Sequence, residues 1–258
     1  MLLVTVAFAN NFLTARMAEN EFGTVKQFMQ TAGYQIDDVS WTIGRTQTIR
    51  YTSMSGRVDF QSAALSYNIS LNDSPIANFT YSTGILLYNM PVTSYNLGNG
   101  YHENIIPASD RSFLQKGTSA PVCHVFVVEK LLKSDGTPMN DGAFIRVVLA
   151  PSIRMLNSTI TTSNTTQNYY KFYLPILNQG SSPRLSQSVT LVGTTVAVET
   201  EGDVNKISIQ ISFPKSGLGF DNDFFAFAHI TEVVGNIPSG SIIEFYTGEV
   251  TVSLGLHA

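Results

Sequence analysis

Four histidines and one cysteine are the side chains of this chain that most readily serve catalysis or metal binding. The histidines stand at none of the short spacings that gather metal ligands; they are His102, His124, His229 and His257. Cys123 directly precedes His124, and neighbours on a strand point to opposite faces, so this pair cannot make the contact of a Cys–His nucleophile. We therefore predict no catalytic residue and no metal site, and we expect Cys123 to be buried as a small apolar side chain.

Other motifs of enzyme chemistry are equally weak in this sequence. Asp221-Asn222-Asp223 could hold calcium together with backbone carbonyls, although a solvated turn is the commoner use of such a triplet. No glycine cluster stands between a strand and a helix, where it would cradle a nucleotide phosphate. We predict that the protein binds no cofactor and is not an enzyme; the β-rich sequence alone supports the alternative of a secreted carbohydrate-active enzyme.

Asn-x-Ser/Thr sequences are the one modification signal in the chain. They are acceptors for N-linked glycans, which occur on the surfaces of secreted proteins. A chain this rich in Asn, Ser and Thr should contain roughly three to four by chance, so their number is weak support for an extracellular location. The candidate glycosylation sites fall in two clusters, with Asn68, Asn72 and Asn78 in the first and Asn157 and Asn164 in the second.

The composition narrows the class of protein further. Hydrophobic residues make up 43% of the 258 residues and charged residues only 13%, against about 25% charged in an average soluble protein. The net charge of −4 and the lack of long basic runs argue against a nucleic-acid partner. A single cysteine excludes intramolecular disulfides. A neutral surface rich in hydroxyl and amide groups favours an extracellular or densely assembled protein.

The N-terminal segment shows a helical pattern of apolar residues. Residues 1–18 are apolar on nearly every side but fall short of the about 20 residues that cross a bilayer. An apolar stripe with steps of three and four then continues past Ile36, while charges such as Glu19 and Glu21 fall off it. We predict one helix over residues 2–46, on the order of 65 Å long, whose first half must be buried in lipid or against other chains.

The remainder of the chain has the period of β-strands. Lys206–Ser212 and Glu249–Leu254 alternate apolar and polar residues, which indicates strands with one buried and one wet face. Segment 91–121 is poor in strand signal, and we predict a loop that is either a contact-making excursion or a plain insertion. Segment 156–168 is predicted to be a second polar loop or the tip of a strand. The predicted fold is mainly β, with the long N-terminal helix (residues 1–46) followed by a β-sandwich-like globular domain (residues 47–258).

This order of elements resembles the archaeal type IV pilins and archaeal flagellins. The hydrophobic N-terminal helix that continues amphipathically into a Ser/Thr/Asn-rich β domain carries the resemblance, which is one of architecture and not of a sequence motif. It implies a structural subunit of an extracellular, pilus-like filament that polymerises with itself. In that class the N-terminal helices pack in the filament core, and the helix can be held by the membrane before assembly.

We assign the assembly surface to the apolar side chains of the predicted helix. They are Leu2, Leu3, Val4, Phe8, Phe12, Leu13, Phe22, Val25, Phe28 and Met29. On this hypothesis residues 1–30 can be removed to leave a soluble β protein. The alternative is a membrane-anchored cell-surface protein, such as an adhesin, an S-layer component or a pseudopilin-like secretion part. The C-terminal strand from Phe245 is expected to pair within its own sheet, in preference to the sheet of a neighbour.

Overall fold

A computed structural model of the chain describes residues 2–162, 166–181 and 187–255, with side chains from residue 13 onward. One long helix precedes two curled sheets that form a β-sandwich-like domain, which confirms the predicted fold class. The helix, α1, spans Leu2–Ser40, and a one-turn helix, α2, spans Asn222–Phe225. The strands are β1 (Thr46–Arg50), β2 (Arg57–Leu71), β3 (Phe79–Pro91), β4 (Tyr101–Ile106), β5 (Leu114–Lys116), β6 (Cys123–Glu129), β7 (Phe144–Pro151), β8 (Ile153–Thr161), β9 (Thr166–Gln179), β10 (Ser188–Glu201), β11 (Ile207–Ser212), β12 (Thr231–Val234) and β13 (Ile242–Leu254).

The first sheet has six strands in the order β1-β10-β13-β9-β8-β5, and the second has seven in the order β12-β11-β2-β3-β7-β6-β4. The pairs β9–β13 and β5–β8 are parallel, and the other pairs are antiparallel. The C-terminal strand β13 lies between β10 and β9 and is therefore paired on both sides within the chain. This confirms the prediction that the strand pairs within its own sheet.

Two hydrophobic cores lie on opposite faces of the strands. Along β6, Phe126 and Val128 enter one core, while the alternate residues Val125 and Val127 enter the other. We call the first the sheet core, because the two sheets and the segment around α2 fill it. The second is the helix core, because the buried face of α1 fills it. Strands buried on both faces explain why several of them read as continuous apolar runs instead of alternating patterns.

The second half of α1 is built into the domain between the two sheets. It contacts β10, β13, β9 and β1 of the first sheet and β6, β7 and β4 of the second. Apart from Ser40 at its end, its buried side chains are apolar, and Val25, Met29, Ile36 and Val39 are almost fully enclosed. The division into a helix (1–46) and a separate β domain (47–258) is therefore wrong, since the two share one core.

The helix also ends earlier than the sequence predicted. It stops at Ser40, and the chain turns so that β1 begins at Thr46. Gly44 adopts a φ of +80°, a left-handed conformation that a helix cannot contain and that glycine adopts without strain. The predicted end at residue 46 was wrong because the apolar spacing continues through Trp41 and Ile43 although the backbone does not.

Several predicted loops and strands differ in the structure. Segment 91–121 contains β4 and β5, so the predicted loop there is wrong. Segment 156–168 contains the adjoining ends of β8 and β9, which agrees with the strand-tip alternative.

Three long strands each cover all or most of two segments that the sequence pattern predicts as separate short strands. The segments are 57–60 and 63–71 in β2, 76–82 and 85–90 in β3, and 188–192 and 195–199 in β10. Register shifts in the β2–β3 and β10–β13 pairings mark where the pattern breaks. Phe224 and Phe225 are buried on the short helix α2, although the pattern of residues 224–229 predicts a strand.

Candidate functional site

The exposed part of α1 is where the helix leaves the domain. All five side chains of residues 13–17 are exposed, including Leu13 at 59% and Met17 at 56%, and burial begins at Ala18. Exposed large apolar side chains on a helix are unusual unless something covers them. Of the predicted assembly residues, Leu13 is thus accessible, while the side chains of Leu2, Leu3, Val4, Phe8 and Phe12 lie outside the described residues.

The other four predicted assembly residues are not on the surface. Phe22, Val25, Phe28 and Met29 are between 0% and 6% exposed and pack in the helix core. Assigning them to contacts between subunits was wrong, because they face the chain's own sheets. The apolar stripe that looked like one continuous interface therefore divides near residue 18 into an outer, exposed part and an inner, core-forming part.

A hydrogen-bonded clamp fixes the helix at this exit. The Glu21 carboxylate accepts hydrogen bonds from the Ser53 hydroxyl (2.7 Å), the Ser55 amide (3.0 Å) and the Tyr88 hydroxyl (2.5 Å). Burial alone would raise the pKa of Glu21, but these donors and the Met54 amide lower it from 4.5 to about 2. The clamp joins the helix to the loop before β2 and to the end of β3.

Further contacts hold the opposite side of the helix at the same level. The Lys26 ammonium lies 2.5 Å from the Glu103 carboxylate, which also accepts a hydrogen bond from the Tyr101 hydroxyl at 3.0 Å. The Phe22 ring packs against Tyr95 with ring centroids 5.1 Å apart. Because polar and aromatic contacts surround it, the helix leaves the domain in a fixed direction and residues 13–17 continue along that direction.

A groove runs beside the exposed part of the helix. It has a volume of about 550 Å³ and lies between one helix face and the loop before β2. Its lining residues are Thr14, Met17, Asn20, Glu21, Thr24, Thr52, Met54 and Ser55. Met54 is 80% exposed and, with Met17, makes the apolar part of this surface. Unbranched methionine side chains adapt readily to different apolar partners.

The Glu21 clamp should make stability depend on pH in the acidic range. Because the pKa of Glu21 is lowered on folding, its contribution is fully present above about pH 4.5 and is lost as the pH falls towards 2. We expect Glu21→Gln to weaken the clamp, at a cost of about 1–3 kcal/mol at neutral pH, and to flatten this acid dependence. Urea unfolding at a series of pH values measures both effects. The exposed Glu19→Gln serves as control, and equal behaviour of the two variants would contradict the clamp.

The glycosylation candidates differ in how their side chains are used. Asn72 is exposed, but its amide donates to the Asp203 carbonyl (3.1 Å) and its oxygen accepts from the Asn205 amide (2.9 Å). Asn68 is half-buried in the middle of a paired strand. Asn78 and Asn157 are both exposed, and Asn164 lies outside the described residues. Exposure therefore favours Asn72, Asn78 and Asn157 over Asn68, although the Asn78 side-chain oxygen also accepts a hydrogen bond from the Leu71 amide (2.9 Å).

The described sequons and the helix exit lie at opposite ends of the sandwich. Asn72 and Asn78 flank the start of β3 at Phe79, whereas Tyr88, which binds Glu21, lies nine residues further along this strand. At about 3.3 Å per residue the two ends are roughly 30 Å apart. Asn157 pairs with Tyr170, which is next to Ile243 at the start of β13. Ile243 also pairs with Glu201 at the end of β10, and β11 begins six residues later at Ile207, which pairs with Leu71 beside Asn72. Asn157 therefore lies at the same end as Asn72 and Asn78.

The titratable side chains elsewhere have structural surroundings. Cys123 is buried in the helix core, where burial raises its thiol pKa, whereas His124 projects to the other face and its ring nitrogen lies 2.9 Å from the Ser112 carbonyl oxygen. These positions confirm the predicted burial of Cys123 and its separation from His124. Asp221 caps α2 and pairs with Lys130 at 2.5 Å. Within the described ranges no group of three or more His, Cys, Asp or Glu side chains could hold a metal ion.

Sequence reasoning did not identify the clamp. Glu21 was assigned only to the polar side of the helix, and Ser53 and Tyr88 are far from it in the chain. One local indication of the clamp was a carboxylate next to the apolar Phe22. The partners of that carboxylate could not be predicted, because they depend on the tertiary arrangement. The exposed Met54 in a short Ser- and Gly-containing loop was a second, unused signal.

Comparisons with known proteins do not place the chain in a family. No family model, curated protein or solved structure matches it. Among the described residues, no helix combines the length and the apolar character that crossing a bilayer requires.

Proposed function

We propose that this protein is a non-enzymatic structural subunit of an extracellular, pilus-like filament that polymerises with itself. The N-terminal part of α1, residues 2–17, makes the contacts between subunits, and the β domain faces outward. The observation that carries this proposal is the exposure of Leu13 and Met17 on a helix that is otherwise fixed in the core. An exposed apolar helix face is stabilised when a second helix or a lipid covers it, by roughly 25 cal/mol per Å² buried.

The placement of the helix exit and the sequons at opposite ends of the domain supports the same function. The helix leaves one end of the sandwich, and the exposed sequons Asn72, Asn78 and Asn157 lie at the other. In a filament with helices at its centre, that second end is the outer surface, where glycans meet no neighbouring helix. Before assembly the same apolar segment can hold the subunit at the membrane.

The proposal assigns assembly to fewer residues than the sequence suggested. Phe22, Val25, Phe28 and Met29 belong to the core of each subunit, so the contacts come from the helix before Ala18 and from the groove at Met17 and Met54. Repeated side-by-side contacts of this kind that do not close into a ring produce a helical filament.

An aspartate at Leu13 is expected to abolish filaments without unfolding the subunit. Leu13 is 59% exposed in the single chain, so Leu13→Asp removes little intramolecular packing, but a charge buried between subunits is very costly. Leu218→Asp is the matched control, since Leu218 is 40% exposed and lies far from the helix in the chain. Negative-stain microscopy after detergent removal counts the filaments.

Two outcomes would contradict the filament. If Leu13→Asp and Leu218→Asp form fibres equally, the helix is not the assembly surface. If the unaltered chain forms no fibres but floats with lipid vesicles in a manner that Leu13→Asp abolishes, the protein is the alternative, a membrane-anchored surface protein.

A further inference from the structure

One edge of the first sheet has a step. Strand β1 covers only the first part of β10, because Thr46–Arg50 pairs with residues 188–192. Beyond the register shift at Gly193, residues 195–201 pair with β13 on one side, and no described strand pairs with their other side. Six of these seven residues are exposed, and Val196 is half-buried. A strand edge of this kind offers free N–H and C=O groups to another strand.

The two parts of the step carry opposite charges on the same face of the sheet. Arg50 is opposite Ser188, and Thr48 is opposite Thr190, which is itself opposite Ser253. The Thr48 and Thr190 hydroxyls lie 2.9 Å apart, so both point to one face of the sheet. Arg50 and Ser253 lie on that same face. Glu199 and Glu201 are opposite Phe245 and Ile243. Residues 243, 245 and 253 of β13 are separated by even numbers, so all three side chains lie on one face. Arg50 and the two glutamates therefore project from the same face, at opposite parts of the edge.

We propose that two copies of this chain pair through this step, about a two-fold axis perpendicular to the first sheet. That rotation puts the protruding β1 of each copy beside the open residues 195–201 of the other. The strands then run parallel, as β9 and β13 do within the sheet, and the faces of the two sheets remain continuous. Arg50 of one copy lies beside Glu199 and Glu201 of the other, so each contact has matched charges and occurs twice.

The charges explain why the occupant is a second copy instead of an unrelated strand. Glutamates at the end of an open edge repel an acidic strand, and an uncharged strand offers their carboxylates no charged partner. Proteins use charged side chains in this way to protect open edges. The β1 of a second copy supplies a partner for these carboxylates, because Arg50 is exposed and forms no ion pair among the contacts described. Ile43, which is 66% exposed just before β1, lies near the axis where its counterpart can cover it.

This pairing goes beyond the filament contact and uses no residue of α1. A two-fold axis perpendicular to the sheet reverses the strand direction, so the helices of the two copies leave at opposite ends. The pair therefore cannot form between neighbours of one filament whose helices all point inward. It joins subunits of two neighbouring filaments, or two subunits that have not assembled.

Cysteines placed across the predicted contact test it directly. In one chain Thr48 is opposite Thr190, and Ala197 lies seven residues further along, roughly 20 Å away, so Thr48→Cys and Ala197→Cys cannot link within a chain. Full-length protein in detergent, with Leu13→Asp to prevent filaments, is oxidised and run on a non-reducing gel. A mixture of the two single variants should give a band at twice 28.2 kDa, and neither variant alone should do so.

The cross-link also needs a specificity control. Thr48→Cys mixed with Asn157→Cys, whose cysteine lies on β8 away from the step, should give no band above background. The absence of a band from the Thr48→Cys and Ala197→Cys mixture would overturn the proposal. For a chain with both cysteines, a ladder of trimers and larger species would overturn the two-fold axis, because a closed pair has no free edge.

Charge reversal provides an independent measurement. Arg50→Glu should lower the yield of cross-linked dimer by about tenfold, and Glu199→Lys with Glu201→Lys should do the same. The three changes together should restore the yield, because the signs are exchanged and the match returns. Lys116→Glu, on β5 at the other edge of the sheet, is the control. If the triple variant does not regain the yield of cross-linked dimer, the proposed ion pairs are wrong. A loss of filaments with an unchanged dimer yield would bear on the contacts of α1 and not on this pairing.

Discussion

Removing residues 1–17 is expected to leave a folded, soluble domain, whereas removing residues 1–30 is expected to unfold it. The first cut ends just before Ala18, where burial begins, and takes away only exposed side chains among those described. The second removes Phe22, Val25, Phe28 and Met29 from the helix core. Losing a single side chain of this size costs about 2–5 kcal/mol, and four such losses match or exceed the about 5–15 kcal/mol that holds a domain together.

Circular dichroism and thermal unfolding of the two truncated chains measure this difference. The shorter deletion should keep the strand signal and a cooperative transition, and it should elute as a species no larger than a dimer. The longer deletion should lack a cooperative transition. If both chains fold with similar midpoints, then α1 is not part of the core, and the separate-domain interpretation returns.

Gly248→Ala and Gly193→Ala are both expected to destabilise the protein, because an added methyl group would collide with the end of α1. A Cβ at Gly248 would lie 2.3 Å from the Ser40 carbonyl oxygen, and one at Gly193 would lie 2.5 Å from the Val39 carbonyl oxygen. Both contacts are to helix backbone, which cannot rotate away as a side chain can. We expect either substitution to cost about 1–3 kcal/mol or more, because the end of α1 must move off the sheet.

Gly23→Ala is the matched control and should change stability in the opposite direction. Gly23 lies within α1, and a Cβ there would meet no heavy atom within 4 Å. Alanine in a helix is favoured over glycine by about 1 kcal/mol. Urea unfolding of the three variants gives the signs directly. A Gly248→Ala protein as stable as the parent would mean that the helix does not press against β13.

The helix and the general fold could be predicted from the sequence because both depend on local periodicity. Steps of three and four residues through Phe28 and Ile36 define one helical face, and alternation in β11 and β13 defines strands. The partner of that helical face could not be predicted, since a stripe that packs on a neighbour and a stripe that packs on its own sheets have the same spacing. Burial of Val25 and Met29 by the chain's own strands settles this for the second half only.

The merged strands and the clamp depend on contacts between distant residues. β2 continues through Ala63, whose φ of +49° belongs to a bulge that interrupts the alternation without ending the strand. Glu21 meets Tyr88 across 67 residues of sequence. The charged face of β10 could have been read from the sequence Val-Glu-Thr-Glu, but not the open edge beside it, since that edge results from the short length of β1.

The burial of α1 between two sheets also determines the order in which the chain can fold. The helix is made before all the described strands, yet its inner face is covered partly by β10 and β13, the latter near the end of the described chain. Its apolar stripe must therefore stay exposed while about two hundred further residues are added, at roughly 5–20 residues per second. Contacts between residues so far apart in the chain form slowly, and the apolar face of the helix stays exposed until they form. The burial of the inner helix face is therefore complete only when β13, the last described strand, is in place.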